Sequence, residues 1–294
     1  MNKQTGTYLL GRIHKFGELN DKELKKTIVS SSTVESHGNS WTFIESYGHE
    51  KFVFAKLVKF KSTGEVYVID EKDKKQDKLI EQNLRIAVSP FIYIPAFSGV
   101  CYLKVSNHIH EINFPNIFTK IIKETNDDFF VDCNVKHISD LRSFSKRVIS
   151  LSTFERIFAN INPPNPLFGP HWKKLKEYLE HRNSDSLTFD EKSGHNESLN
   201  SKLREHLNGI INQSEKSPYI PEEPIDITDA AILMAADGYG KGYIIGKEKN
   251  NYITVKTDQA INNFKFNIEP DPEELYRIAY DHFIKLNDER NLNH

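Results

Sequence analysis

The chain has 294 residues, which is long enough for one large domain or for two modest ones that each bury a core. Its 39 Lys and Arg residues nearly balance 41 Asp and Glu residues, so the formal net charge is −2. This balance argues against nucleic-acid binding through overall positive charge and leaves only local basic patches. The sequence has no apolar leader and no apolar run of about 18 residues, and we therefore predict a cytoplasmic protein.

The first half of the chain is rich in strand-like patterns. β-Branched and aromatic residues fill residues 51–61 and 65–70, and Gly64 between these two runs predicts a hairpin. The strongest pair of predicted strands covers residues 84–95 and 99–105. A meander of antiparallel strands is therefore expected before residue 105.

Helices and strands alternate from residue 113 onward. Apolar residues at helical spacing predict a helix over 113–124 and a short helix beginning near Asp140. The residues that define these two helices are Ile117, Phe118, Ile121 and Ile122 in the first, and Leu141, Phe144 and Val148 in the second. Strand-like runs at 129–137 and 154–161 complete the order. It predicts an α+β fold, with a β-rich N-terminal domain, residues 1–161, that packs helices on a mixed sheet.

A proline-rich joint follows this domain. Four prolines (Pro163, Pro164, Pro166 and Pro170) cannot continue a ladder or a helix, so the chain has to change direction there. We predict a smaller C-terminal domain, residues 162–294, made of helices and a β-hairpin. Its predicted elements are helices at 172–182 and 199–211, a hairpin formed by 241–249 and 251–257, and a last helix opened by Asp271-Pro272. Polar linkers are predicted at 183–196 and 213–229.

No motif in the chain matches a known catalytic signature. The Gly-rich run Asp237-Gly-Tyr-Gly-Lys-Gly242 lacks the spacing of a phosphate-binding loop, because Lys241 is followed by Gly, and we predict a tight turn that links two strands. His108 and His110 could begin a metal site, but zinc needs a third or fourth ligand that the spacing does not supply. Serine and cysteine nucleophile signatures do not occur, and Cys101 and Cys133 are predicted to be buried free thiols.

A metal-dependent nuclease would need an acidic residue followed by an acid-x-Lys pair around Mg²⁺. The available pairs are Glu23 with Lys25, in a predicted helix, and Asp73 with Lys75, in a loop of mixed charge. Neither pair lies on an apolar strand beside another acid. We therefore predict no catalytic residue, no metal and no cofactor, and a role without catalysis is favoured over an enzyme.

Basic patches remain as candidate binding residues. Arg142, Lys146 and Arg147 lie away from the apolar face of the helix that begins near Asp140, and such side chains can neutralise phosphates. A second patch, Lys173, Lys174 and Lys176, lies on the next predicted helix. The alternative for each patch is an ordinary solvated helix face.

Two sets of segments carry a resemblance to known families. Phe52-Val-Phe-Ala-Lys56, Val88-Ser-Pro-Phe-Ile-Tyr-Ile94 and Gly99-Val-Cys-Tyr-Leu-Lys104 resemble the N-terminal half of the RexA-type phage-exclusion proteins. The Asn162-Pro-Pro-Asn-Pro166 joint and the Ala-Ala-Asp237-Gly-Tyr-Gly240 turn are similar to those of a broad, uncharacterised bacterial family. The C-terminal half departs from RexA in its length and in its Gly-rich hairpin.

The resemblance to RexA implies an intracellular sensor or effector of defence against phage. It further implies a homodimer that contacts DNA and signals to a companion defence protein, in the RexA case a membrane protein. Together with the basic patches, this leads to the hypothesis of a nucleic-acid-binding defence protein without catalysis of its own. Two alternatives stay open: a metal-dependent nuclease or nucleotide hydrolase of a defence system, and a protein-interaction scaffold.

Overall fold

The structure is a computed structural model that describes residues 4–70, 75–126, 131–162, 172–184, 186–194, 197–213, 219–249 and 251–290. Within these residues the chain forms seven α-helices and twelve β-strands, which confirms the predicted α+β class. The chain divides into two compact units, each assembled from separate segments. The first unit comprises Met1–Tyr8, Lys15–Val135 and Lys265–Tyr276, and the second comprises Leu9–His14, Lys136–Phe264 and Arg277–His294.

The elements follow one another without internal repetition. The strands are β1 Thr5–Gly17, β2 Val34–Ser36, β3 Asn39–Gly48, β4 Val53–Asp70, β5 Lys75–Ile94, β6 Gly99–Leu103, β7 Val131–His137, β8 Thr153–Ile161, β9 Leu187–Lys192, β10 Gly240–Glu248, β11 Asn251–Lys256 and β12 Asn263–Asn267. The helices are α1 Asp21–Val29, α2 Asn113–Asn126, α3 Leu141–Ser150, α4 Lys173–Arg182, α5 Leu203–Asn212, α6 Ile227–Met234 and α7 Pro272–Glu289.

The larger sheet runs in the order β12-β1-β6-β5-β4-β3-β2, with β7 also paired to β1. The pairs from β2 to β6 are antiparallel, as the predicted meander requires. Helix α2 covers this sheet with the apolar residues that predicted it, and all of them are buried. Tyr102 on β6 and Phe114 on α2 stack with ring centroids 3.8 Å apart, so aromatic packing joins helix and sheet.

The hairpin predicted around Gly64 is wrong. Gly64 lies inside β4, opposite Glu81 of β5, and the ladder continues beyond it to Asp70 and Lys75. A Cβ at Gly64 would lie 3.3 Å from the Leu84 side chain, so a neighbouring side chain takes the space that a larger residue would need. Glycine can mark a close approach within a strand as well as a turn.

The second unit has an antiparallel sheet in the order β11-β10-β8-β9. Its core collects apolar residues of α3, α4, α5 and α6 against β8 and β10. The predicted hairpin of β10 and β11 is confirmed, with Glu248 opposite Asn251. The predicted last helix is also confirmed, because the Asp271 carboxylate accepts from the Glu273 and Glu274 amides at its first turn.

Three predictions for this region are corrected. Strand β9 lies inside the segment predicted as a linker at 183–196, and it pairs with β8 through Phe158 opposite Asp190. Helix α6 begins inside the second predicted linker, 213–229, and is buried from Thr228 to Met234. The Asp237–Gly242 turn links α6 to β10 rather than two strands, because a single π-helical turn, Ala235–Tyr239, precedes β10.

The predicted domain limits, 1–161 and 162–294, stay a prediction. The proline-rich joint that defines them falls on residues 163–171, outside the described residues. Strand β8, which ends at Ile161, pairs with β10 in the second unit, where Gly240 lies opposite Ile161.

Candidate nucleic-acid interface

Helix α3 forms because its sequence supplies a cap and an apolar face. The Asp140 side chain accepts from the Ser143 amide at 2.8 Å and so satisfies one of the free donors of the first turn. Leu141, Phe144 and Val148 are buried, and the helix ends where the Leu151 amide returns to the Val148 carbonyl. One face of α3 is thereby fixed against the core of the second unit, and the opposite face is left to solvent.

The exposed face of α3 carries Arg142, Lys146 and Arg147. Arg142 and Lys146 lie one turn apart on the same side, and Arg147 adjoins them. The helix contains no acidic residue, and in the part of the chain that the structure describes none of the three forms an ion pair. Like charges at this spacing cost a helix about 0.2–0.5 kcal/mol, so the arrangement does not serve the stability of α3 itself.

The second predicted patch, on α4, is less clearly cationic. Lys174 pairs with Asp226 at 3.2 Å, and Lys176 pairs with Glu180 at 3.7 Å. Lys173 is exposed at the first turn. Because nearby carboxylates neutralise Lys174 and Lys176, the electrostatic attraction of these two side chains to a polyanion is weaker.

The structure brings the beginnings of α3 and α4 to one place. Leu141 and Trp172, which directly precede Arg142 and Lys173, line the same small cavity in the core of the second unit. Farther along, α3 packs on α5 and β11, whereas α4 packs on α6. The starts of the two helices therefore reach one cavity, while their later turns pack on different elements.

Lys136 and Lys241 form a further cationic pair that the sequence reasoning missed. Lys136 is the last but one residue of β7 and is half-buried, while Lys241 is exposed on β10. Burial lowers the pKa of Lys136, the neighbouring positive charge of Lys241 lowers it further, and Asp258 acts in the opposite direction. No sequence pattern links the two lysines, because they are 105 residues apart in the chain and lie on strands of different sheets.

A buried charge cluster fixes the segment that leads into α3. Arg12, Asp237 and Arg290 are at most 4% exposed. Arg290 forms an ion pair with the Asp237 carboxylate and donates to the Ser139 carbonyl at 2.8 Å. Arg12 Nε donates to the Asp237 carbonyl at 2.9 Å. Since Ser139 precedes the cap residue Asp140, the cluster holds the start of α3 in place.

Burial and the arginines act against each other on the buried carboxyl. Loss of water raises the pKa of Asp237, while the positive charges of Arg290 and Arg12 act to lower it. Arg290 pairs with the carboxylate of Asp237, whereas Arg12 bonds to the backbone carbonyl of the same residue. Ion pairs of this kind are costly to assemble and strongly destabilising to break.

The turn that carries Asp237 docks directly on the same segment. Gly238 has a φ of +83°, and a Cβ there would lie 3.1 Å from Ile138 and 3.3 Å from the Lys136 carbonyl oxygen. Ala236 accepts from the Ser139 amide at 2.8 Å. The Arg12 guanidinium lies over the Tyr239 ring, 4.5 Å from its centroid. Only glycine fits this conformation without strain.

The sequence pattern of the family described as a domain of unknown function, DUF4747, matches residues 16–217. The chain belongs to this family. The match fits the predicted broad, uncharacterised family and includes α3 and α4, whereas Arg12, Asp237 and Arg290 lie outside it. No curated protein has a sequence similar enough to match the chain.

Membership of this family indicates no reaction and no ligand. The other candidate groups are therefore judged from their positions in the structure. A cleft of about 490 Å³ in the second unit is lined by Lys174, Glu191, Asp226 and Asp229, among others. Burial, opposed in part by a hydrogen bond from Ser201, raises the pKa of Asp229 to about 6. The same carboxylate accepts from Ser201 Oγ at 2.7 Å and from the Lys202 amide at 3.1 Å, so it caps the start of α5.

The residues considered for a metal site are dispersed. In the described ranges no three His, Cys, Asp or Glu side chains are grouped so that they could hold an ion. Lys25 donates to the Glu50 carbonyl at 2.7 Å, and His110 accepts from the Ile112 amide at 3.3 Å, so each serves a local contact. Asp73 and the Lys75 side chain lie outside the described residues.

Two further features concern the thiols and the membrane. Cys101 and Cys133 are buried free cysteines, and burial raises the pKa of both, that of Cys133 to about 12. Neither thiol is therefore an activated nucleophile at neutral pH. In the parts of the chain that the structure describes, no helix combines the length and the apolar composition needed to cross a bilayer.

Proposed function

We propose that the chain is a cytoplasmic component of anti-phage defence that binds nucleic acid through the exposed face of α3 and breaks no bond itself. The observation that carries this proposal is the set of three exposed cations, Arg142, Lys146 and Arg147, on a helix without a carboxylate. Lys173, exposed at the first turn of α4, is included in the proposed surface, and Lys174 and Lys176 contribute less because carboxylates already neutralise them.

The physical basis is the neutralisation of phosphates. Each Lys or Arg that contacts a phosphate releases condensed counterions, and the logarithm of affinity falls by about 0.9 per contact for each decade of salt. Hydroxyl groups also contact phosphates, and Ser143 and Ser150 lie on the solvent side of α3. Because the buried cluster holds Ser139, the cations are presented on a fixed helix and not on a mobile loop.

Replacing Arg142, Lys146 and Arg147 together by Gln tests the proposal. We expect binding to double-stranded DNA at about 0.15 M salt to weaken roughly a hundredfold, and the salt slope to fall by about 3. Fluorescence anisotropy over a salt series measures both quantities. Equivalent series with single-stranded DNA and with RNA identify the kind of nucleic acid.

A matched control removes the same charge elsewhere. Lys22, Lys26 and Lys51 are exposed in the first unit, and their replacement by Gln should leave the slope within about one of the original value. Equal losses in both triple variants would mean that binding depends on total charge, and unchanged binding in the α3 variant would refute the proposal. Mg²⁺-dependent cleavage of the nucleic acid would favour the hydrolase alternative instead.

The proposal includes a companion defence protein. The resemblance to RexA-type proteins supports a membrane protein as this companion, and no contact in the structure bears on it. Co-purification from cells that express the neighbouring genes tests it. Recovery of a companion together with undetectable nucleic-acid binding would favour the scaffold alternative.

A further inference from the structure

The four-stranded sheet of the second unit, β11-β10-β8-β9, has one covered face and one exposed face. Successive side chains of a strand point to opposite faces, and Ile157, Ile161 and Ile244 point into the core. Helix α6 packs on β8, β9 and β10 and belongs to the same core. The alternate side chains of β8 and β10, which include Phe158 and Tyr243, are all partly or fully exposed. We define the side of the sheet that carries them as the open face.

An aromatic pair lies at the centre of the open face. Phe158 on β8 is directly opposite Tyr243 on β10, and their rings stack with centroids 4.9 Å apart and planes 13° apart. The Arg156 guanidinium lies 5.5 Å from the centroid of the Tyr243 ring, and Tyr252 on β11 adds a third ring, which is 66% exposed. Cross-strand packing accounts for the contact between the two central rings, but it does not account for the charges that surround them.

The charges on the open face are mostly positive. Its two carboxylates already form ion pairs, Glu155 with Lys247 and Asp190 with Arg156. Three further lysines on this face form no ion pair with any described residue, and these are Lys192, Lys241 and Lys256. Lys256 lies directly opposite Tyr243, and Lys241 precedes Tyr243 by two residues on the same side of β10. The open face is therefore positively charged, although the whole chain has a formal net charge of −2.

Aromatic rings beside unpaired lysines match the chemistry of a single nucleic-acid strand. In a single strand the bases are free to stack on aromatic side chains, while the phosphates are neutralised by neighbouring cations. In a duplex the bases are stacked on one another, so a flat protein surface reaches mainly phosphates and sugars. An acidic peptide would be attracted to the lysines but would have no planar group to stack on Phe158 and Tyr243.

A polar group next to the rings favours RNA over DNA. Asn160, two residues from Phe158 on the open face, donates through Nδ2 to Thr188 Oγ1 at 2.7 Å. Its carbonyl oxygen can then accept a further hydrogen bond, and a phosphate, which carries only acceptors, cannot supply one. A ribose 2′-hydroxyl can donate to this oxygen, and DNA lacks that group.

We propose that the open face binds single-stranded RNA, with bases stacked on Phe158 and Tyr243 and phosphates neutralised by Lys241 and Lys256. This inference goes beyond the proposed binding by α3, because it uses different residues and a different form of nucleic acid. Either proposal can fail while the other holds, since the cations of α3 are tested with double-stranded DNA and the open face with single-stranded RNA.

Two double variants separate stacking from charge. Phe158→Leu/Tyr243→Leu removes both rings but keeps apolar side chains, so the affinity for RNA should fall about tenfold or more while the salt slope stays unchanged. Lys241→Gln/Lys256→Gln removes two phosphate contacts, so the salt slope should fall by about 1.4. Fluorescence anisotropy over a salt series, with a labelled RNA about 12 nucleotides long that does not self-pair, measures both quantities.

Matched controls make the result decisive. Tyr47→Leu removes an exposed ring from β3 in the larger sheet and should leave the affinity for RNA unchanged. Single-stranded DNA of the same sequence should bind about threefold or more weakly, because it lacks the 2′-hydroxyl. Equal affinity for DNA would overturn the assignment to RNA. Unchanged affinity in the variant without the two rings, or equal affinity for an oligo-glutamate peptide, would overturn the stacking surface itself.

Photochemical cross-linking provides a readout that needs no substitution and therefore does not depend on how well a variant folds. RNA that contains 5-iodouridine is irradiated while bound to the unaltered protein, and the linked peptides are identified by mass spectrometry. A base that stacks on an aromatic ring should cross-link to it, so we expect links at Phe158 or Tyr243. Links confined to α3 or to the first unit would place the RNA elsewhere and refute the proposal.

Discussion

The second unit uses arginine in two opposite ways. Arg142 and Arg147 lie on the solvent face of α3 and have no carboxylate partner among the described residues, whereas Arg12 and Arg290 lie out of water around Asp237. The exposed arginines contribute little to the fold and are available to a polyanion, while the buried ones are committed to internal bonds. The chemical type of a side chain therefore does not assign its role, whereas its partners and its exposure do.

Removing one cation from each region tests this difference between buried and exposed arginines. Arg290→Met leaves the Asp237 carboxylate buried beside Arg12 alone, and we expect a loss of about 3–5 kcal/mol in the free energy of unfolding. Arg142→Met removes the same charge from the surface and should change it by less than about 0.5 kcal/mol. Urea unfolding followed by circular dichroism measures both.

A second variant isolates the charge from the packing. In Arg290→Met/Asp237→Asn the buried charge is removed together with its partner, so part of the loss should be recovered. Similar losses for Arg290→Met and Arg142→Met would contradict the distinction between buried and exposed cations. No recovery in the double variant would mean that the guanidinium acts through its bond to Ser139.

The pattern of burial also decides which helices and strands the sequence could predict. The apolar residues of α2 and α3 recur at helical spacing because one face of each helix is buried, and both helices were predicted. Helix α6 is buried on all sides, so Ile227–Met234 shows no such period. Strand β9 carries exposed polar residues at a sheet edge, and its composition is typical of a loop.

The residues of the candidate site also differ in whether the sequence could predict them. The cations of α3 were predicted because they follow one another in the sequence on the side opposite the apolar face. Arg12 and Arg290 lie near opposite ends of the chain, and no spacing rule connects them to Asp237. Long-range pairing of this kind is determined by the tertiary fold, which a single sequence does not show.

Burial also changes the energetics of an acidic side chain. Asp229 is buried and its pKa is raised to about 6 from an ordinary value of 3.8. The folded state therefore binds the proton more tightly than the unfolded state, and stability contributed by this group is lost as the pH rises from about 4 to about 6. A shift of this size corresponds to about 3 kcal/mol above pH 6.

Asp229→Asn tests this expectation. The variant loses acceptor capacity at the start of α5, which lowers the free energy of unfolding by about 1 kcal/mol at any pH. It also no longer buries a charge when the pH is high. Its stability relative to the unaltered protein should rise by about 2–3 kcal/mol between about pH 4 and about pH 7.5. Asp281→Asn, an exposed change on α7, should show no comparable rise, and a flat difference for Asp229→Asn would refute the assigned pKa.

The smallest expected effect concerns the turn that joins the buried cluster to α3. Gly238 and Gly38 both have positive φ, +83° and +67°, but a Cβ at Gly38 would meet nothing within 4 Å, whereas one at Gly238 would press on Ile138. In Gly38→Ala the free energy of unfolding should therefore fall by about 1 kcal/mol, from backbone strain alone. In Gly238→Ala it should fall by about 2 kcal/mol, because the new Cβ also presses on its neighbours. If the turn positions α3, Gly238→Ala should also weaken nucleic-acid binding at a temperature where it remains folded. Equal costs for the two substitutions, with unchanged binding, would show that the turn does not act on Ile138 and the segment leading to α3.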